Sequence, residues 1–224
     1  MAYATTYPYT GEVLETFPTA TDAEVARAID AAHAAFLALR ETSFAARGAI
    51  LQKAADLLRK DADAYAKLLT LEMGKLFTEA KAEVELSAKI FEYYVQNAES
   101  LLRPEKLTVA DPAEGEAVIV CEPLGVLLAI EPWNFPYYQI ARIIAPQLSA
   151  GNTMLLKHAS NVPQSAAAFE RLMREAGCPR APSSISTRHA RRSRRSSTIR
   201  ASMAWRSRAR KMPARSSPRR PARR

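Results

Sequence analysis

The chain has 224 residues, 48% of them apolar, enough for a sizeable core in one large or two small domains. Its formal charge of +9 would point to a nucleic-acid or membrane-surface partner, but that average hides two compositions. Residues 180–224 hold 16 of the 32 basic and none of the 23 acidic residues, so the first 179 positions carry a net −7 and read as an ordinary acidic body.

In chain order, Tyr7-Pro8-Tyr9-Thr10-Gly11-Glu12 reads as a turn leading into a short extended segment. Thr21 and Glu24 have capping-box spacing, and Val25, Ile29, Ala32, Phe36 and Leu39 then step by four, three, four and three, which predicts an amphipathic helix. Ser43 caps a second helix through Lys60, with Ala46, Ile50, Ala54 and Leu57 inward. A third runs from Asp63 to Met73 and stops at Gly74. A fourth, from Thr78 to Leu101, puts Val84, Ala88, Phe91 and Val95 on one face. The pairs Glu85 with Lys89 and Lys75 with Glu79 fall at i,i+4 and read as a solvated face.

After Pro104 the period changes. Glu116 to Cys121 and Val126 to Ile130 read as strands, with Pro123 between them. The second is a continuous apolar run, the pattern of a strand covered on both faces. It ends in Glu131-Pro132-Trp133-Asn134-Phe135-Pro136, after which 136–150 read as helix. Thr153-Met154-Leu155-Leu156-Lys157 is a second apolar strand, and a helix from Pro163 to Ala176 closes the series at Gly177. The pattern is α/β, a helical preface followed by the start of a parallel sheet. Such sheets bind ligands at the carboxyl ends of their strands. Pro132 and Pro136 fix φ on either side of Asn134, so a stiff turn presents its amide for catalysis or cofactor binding.

From Arg180 onward there is no Leu, Val, Phe, Tyr, Gly, Asn or Gln, and Arg, Ser, Ala and Pro dominate. Such a segment buries too little surface to offset its conformational entropy, so the expectation is two units, 1–179 and a disordered basic 180–224. Arg, Ala, Pro and Ser are what GC-rich coding sequence yields out of frame, which suggests a frameshift product. Cys121 and Cys178 form neither a disulfide framework nor a metal-site spacing, and His33, His158 and His189 are scattered. With no export segment and no apolar run near the roughly 20 residues that span a bilayer, a reducing cytoplasm is the expected compartment.

The opening at Pro8 to Glu12, Glu72-Met73-Gly74-Lys75, Glu122-Pro123-Leu124-Gly125-Val126, Pro132-Trp133-Asn134-Phe135-Pro136 and Ala150-Gly151-Asn152-Thr153 before Leu156-Lys157 recur here in a telling order and spacing. Together they resemble the amino-terminal part of the aldehyde dehydrogenase superfamily, from about Tyr7 to Pro179. The resemblance implies an incomplete version of that fold, with a Rossmann-like sheet, and NAD or NADP as cofactor. It implies that Asn134 is the side-chain donor of an oxyanion hole, a kind of group whose removal costs about 10²–10³ in rate. Trp133 and Asn134 would line the nicotinamide side, while Lys157 and Ser160 would meet the adenosine ribose or its 2′-phosphate. For Lys157 a solvated strand-end lysine is the alternative.

His158-Ala159-Ser160 replaces the usual Pro-Ser-Glu, so no glutamate selects NAD over NADP. This run and Asn161 are similar to bacterial succinate-semialdehyde dehydrogenases. In that subfamily Arg142, eight residues after Asn134, would bind the distal carboxylate of the substrate through paired hydrogen bonds; the alternative is a helix-surface arginine. The nucleophilic cysteine, the general-base glutamate, the second Gly-rich segment and the subunit-pairing strands of the family are not matched. The expectation is therefore an inactive form of an NAD(P)-dependent enzyme acting on a small aldehyde. The competing reading is a basic-tailed nucleic-acid-binding protein. With so short a sheet, Val126–Ile130 and Met154–Leu156 are expected to lack covering elements, giving poor solubility.

Overall fold

The computed structural model describes residues 3–111, 113 and 115–179; the basic segment 180–224, with its expected disorder and nucleic-acid role, lies outside them. β1 (Tyr3–Thr6) and β2 (Val13–Phe17) pair antiparallel around the turn read at Tyr7 to Glu12, whose ends are joined by the Tyr7 amide donating to the Glu12 carbonyl at 2.8 Å. Pairing with β1 explains the extended segment; β1 itself, mixed and only four residues long, gave no period to read.

Four helices follow. α1 (Asp22–Leu39) starts at a complete capping box, the Thr21 hydroxyl accepting the Glu24 amide at 3.2 Å and the Glu24 carboxylate accepting the Thr21 amide at 2.7 Å. α2 (Phe44–Lys60) starts where the Ser43 hydroxyl accepts the Ala46 amide at 3.2 Å. Its buried stripe is Arg47, Leu51, Ala54, Ala55, Leu57 and Leu58, so Ala54 and Leu57 are inward as expected and Ile50 packs partly buried against the core, but Ala46 is exposed. The first turn instead faces inward at Arg47, whose guanidinium meets carbonyl acceptors. α3 (Ala62–Met73) stops at Gly74, whose φ of 71° is left-handed and turns the chain sharply before α4 (Phe77–Leu101). On α4, Val84, Ala88 and Phe91 are fully buried, as their spacing predicts.

β3 (Glu105–Leu107) and β4 (Ala117–Ile119) form a short antiparallel ribbon that is exposed along most of its length. The strand expected over Glu116 to Cys121 is thus cut to three residues. β5 (Val126–Ile130) then pairs in parallel with β6 (Thr153–Lys157), Val126 opposite Thr153 and Ile130 opposite Lys157. Between them runs α5 (Pro136–Ser149), and α6 (Pro163–Glu175) follows. Leu127, Ala129, Met154 and Leu156 turn to the main core with α5, while Val126, Leu128 and Leu155 pack toward Ala32 of α1.

Two expectations change here. β6 is covered on both faces, with Met154, Leu155 and Leu156 at most 6% exposed, because α1 fills the side that further strands and helices were thought necessary to cover. β5 is not the fully covered strand its apolar run suggests, for Ile130 is 58% exposed on the side beyond the reach of α1. The layers are locked by aromatic contacts: Phe91 of α4 meets Phe169 of α6 at 6.1 Å, Tyr137 of α5 stacks on Phe169 at 6.0 Å, and Tyr65 of α3 meets Tyr137 edge-on at 5.6 Å. Among the described residues no helix is long and apolar enough to cross a membrane. Because Phe91 joins two layers, Phe91→Ala is expected to lower the unfolding free energy by about 3–5 kcal/mol in urea titration, and a loss under about 1 kcal/mol would contradict this packing.

Candidate active site at the carboxyl ends of the parallel strands

Ile130 and Lys157 stand opposite each other at the ends of β5 and β6, and Trp133, Asn134 and Ser160 follow within four residues of them along the chain. Pro132, Trp133, Asn134 and Phe135 are all exposed, forming an open corner that leads into α5 at Pro136. Phe135, in the N-cap position, makes no side-chain cap. The capping acceptor comes instead from α4. Glu83 Oε1 accepts the Tyr137 amide at 2.8 Å and the Tyr138 amide at 3.2 Å, and Oε2 pairs with the Lys75 ammonium. Lys75 also donates to the Asn134 carbonyl at 3.3 Å and lies 3.8 Å from the Phe135 ring centre.

This corrects the reading of Lys75 as one of a solvated pair with Glu79. α4 begins only at Phe77, so no helical face joins those two, and the Lys75 side chain is 7% exposed against Glu83 at 1%. The other pair, Glu85 with Lys89, does lie at the surface at 3.8 Å, though Arg59 is the nearer partner of Glu85 at 2.9 Å.

The same device recurs at α6. Buried Glu72 accepts the Thr5 hydroxyl at 2.6 Å, the Gln164 and Ser165 amides at 2.7 and 2.8 Å, and the Ser165 hydroxyl at 2.7 Å. At the other end of α5, Arg47 Nε donates to the Ser149 carbonyl at 2.9 Å. None of these roles was read from the sequence. The available signal was an acidic residue on the inward stripe of its helix: Glu72 lies three beyond Leu69, and Glu83 lies beside Val84 and three beyond Ala80.

Lys157 is half-buried. Its ammonium donates to the His158 carbonyl at 3.3 Å, lies 5.9 Å from the Tyr3 ring centre, and has no carboxylate partner among the described residues. Ser160 is held by its carbonyl, which accepts the Ala4 amide at 3.2 Å. His158 is buried: Nδ1 accepts the Ala159 amide at 2.8 Å, which leaves Nε2 to donate to the Pro136 carbonyl at 3.2 Å. That bond ties the end of β6 to the start of α5, and burial pushes the imidazole down to about 4. Arg142 is exposed on α5, six residues or about 9 Å beyond Pro136, its guanidinium 5.8 Å from the Tyr138 ring centre. It is thus set back from the corner, and the structure does not bring it against Asn134. Glu131, which no sequence pattern singled out, is buried beneath the corner, and desolvation pushes its carboxyl up to about 7 against the pull of Arg142.

These groups can do distinct things. A cation and a hydroxyl at the end of β6 suit a ribose diol or a phosphate ester. The N-terminal amides of α5 and α6, the usual cradle for a pyrophosphate, are already bound to Glu83 and Glu72, so that part of a dinucleotide has no site on these two helices. No cluster of three or more metal-ligating side chains occurs among the described residues. Of the two cysteines, Cys178 is buried and pushed up to about 12, far from a thiolate at neutral pH, and Cys121 is exposed.

The sequence pattern described as "Aldehyde dehydrogenase family" matches residues 1–190. An NADP(+) succinate-semialdehyde dehydrogenase of Deinococcus radiodurans is 47% identical over 177 residues, 79% of this chain and 36% of the relative. Succinate-semialdehyde dehydrogenase [NADP(+)] 1 of Mycobacterium tuberculosis is 49% identical over 179 residues, 80% and 39%. Of solved structures, succinic semialdehyde dehydrogenase from Streptococcus pyogenes with NADP+ superposes at a TM-score of 0.75 and 47% identity, over 79% of this chain and 38% of that one. Gox0499 superposes at 0.85 and 38% identity, over 90% and 44%. The chain spans 36–39% of the length of these curated relatives.

Two buried groups make stability depend on pH in opposite senses. Glu131 is raised from 4.5 to about 7, so the fold favours its protonated form, a contribution present below 4.5 and lost as pH rises through about 7. His158 is lowered from 6.5 to about 4, so its contribution is present above 6.5 and lost as pH falls through about 4. Their slopes offset each other between 4.5 and 6.5. Glu131→Gln is therefore expected to raise the urea midpoint at pH 8 and leave it unchanged at pH 4; an equal effect at both would refute the burial of that carboxyl.

Proposed function

The chain belongs to the aldehyde dehydrogenase family, and from that premise we propose that it carries the oxyanion and adenosine-ribose contacts of an NADP-dependent oxidation of succinate semialdehyde to succinate. The observation that carries the proposal is an exposed amide on a proline-flanked corner after β5, together with a lysine at the end of the parallel β6 that has no carboxylate partner among the described residues. Asn134 donates its NH₂ to the oxygen that gains negative charge as the aldehyde carbon becomes tetrahedral. Trp133 and Asn134 line the nicotinamide side. Lys157 and Ser160 meet the adenosine ribose, and with no carboxylate against Lys157 among the described residues a 2′-phosphate is accepted rather than repelled, as the names of the relatives suggest. When bound, the nicotinamide supplies the hydride acceptor. Arg142, exposed and with no carboxylate in direct contact among the described residues, holds the distal carboxylate of the substrate.

The same proposal treats 1–179 as one unit distinct from 180–224 and holds that these residues do not complete the reaction. The Cys178 thiol is held protonated, and Cys121 lies on the amino side of β5, a strand about 16 Å long, away from Asn134. Two measurements follow. The purified chain is expected to give no aldehyde-dependent NADPH absorbance; reduction that disappears in Asn134→Ala would overturn the inactivity. Lys157→Ala is expected to weaken 2′-AMP binding by roughly 10–100-fold, for loss of one charge-assisted hydrogen bond, while changing adenosine binding little. Equal weakening of both ligands would remove the 2′-phosphate reading.

A further inference from the structure

Resting on the reading of Asn134 as the oxyanion donor, we propose that Lys75 is its positioning residue, with Glu83 holding Lys75 to that task. A helix N-terminus needs only an acceptor, and Glu83 supplies one alone: both amides it meets, of Tyr137 and Tyr138, go to Oε1. The ammonium is not required for the cap. Burying a lysine costs several kcal/mol unless it is paired, and an apolar side chain would fill the same space without that cost.

What Lys75 adds is reach beyond the helix. Of its three N–H donors, one meets Glu83 Oε2 and another the Asn134 carbonyl at 3.3 Å, while the charge sits over the Phe135 ring at 3.8 Å. Holding the Asn134 carbonyl fixes the plane of the peptide between Asn134 and Phe135. With φ already fixed at Pro132 and Pro136, little freedom is left in the three residues between, and the direction of the Asn134 side chain is set.

Delivery of Lys75 depends in turn on Gly74. Its left-handed turn ends α3 and sends the next residue across to the corner, with Pro8 packed 3.6 Å from where a Cβ would lie. The oxyanion donor at the end of β5 is thereby indexed to the joint between two helices of the preface.

The test uses ¹⁵N relaxation and amide exchange on the full chain. Lys75→Met alone leaves the Glu83 carboxylate buried without its counter-ion and is expected to unfold much of the molecule, so the informative variant is the double Lys75→Met/Glu83→Gln, whose amide oxygen still accepts from Tyr137 and Tyr138. In the double variant the backbone order parameters of Asn134 and Phe135 are expected to fall from about 0.85 to below about 0.6. Tyr137 and Tyr138 should remain protected, and Lys75→Arg should keep Asn134 rigid. The proposal is overturned if Asn134 is already loose in the native chain, stays rigid in the double variant, or loosens only together with Tyr137 and Tyr138. Order at Asn134 is measured without turnover, so loss of the catalytic reading leaves this result standing, and the reverse.

Discussion

Three buried charges of the helical preface meet three ends of the helices that flank the parallel strands. Glu83 receives the first amides of α5, Glu72 those of α6, and Arg47 donates to the last carbonyl of α5, that of Ser149. Each sign matches the helix end it faces, negative at the amino end and positive at the carboxyl end, where the aligned peptide dipoles favour it. Each charge-assisted bond contributes about 1.5–3 kcal/mol net and, as important, spares a buried polar group from going without a partner. The preface is therefore not an appendage to the sheet. α5 and α6 cannot keep these ends buried without α2, α3 and α4 beside them.

That constraint shapes the site. With both helix N-termini filled by carboxylates, the cation without a carboxylate partner at the carboxyl edge, among the described residues, is half-buried Lys157, while exposed Arg142 is set back along α5. The corner after β5 is open, with Trp133 and Phe135 52% and 43% exposed. Large apolar faces are costly to leave in water, and in the proposed function the nicotinamide is seated against these.

Local signals carried much of the architecture. Thr21 with Glu24, Ser43, and Gly74 mark helix ends through contacts within a few residues, and periods of three and four give α1 and α4, so these elements are legible in the amino-acid order itself. The corner is legible for the same reason: Pro132 and Pro136 act on their own backbone. What could not be read are partnerships across long separations. Glu83 and Tyr137 are 54 residues apart, and Arg47 and Ser149 are 102 apart. A local rule assigned Lys75 to Glu79, and a tertiary contact won because the helix starts two residues later than Lys75. The α2 stripe differs at its first turn for a related reason: a hydropathy pattern expects arginine outside, whereas carbonyl acceptors draw Arg47 in and Ala46 is left exposed.

The alternation of β5 shows how one turn presents opposite chemistries. Leu127 and Ala129 face α5, so Glu131, two residues on, continues that side and is carried under the helix, while Ile130 falls on the other side and is left exposed. Pro132 then ends the strand pattern, and the chain leaves the sheet before another inward position arises. Within four residues the backbone therefore places a carboxyl in a poorly hydrated setting and an amide in the open. Burial raises the proton affinity of the first toward neutrality, whereas the second is a neutral donor at every pH a protein meets. A neutral donor can stabilise developing negative charge without itself titrating, and on the proposed reading the Lys75–Glu83 pair maintains its placement.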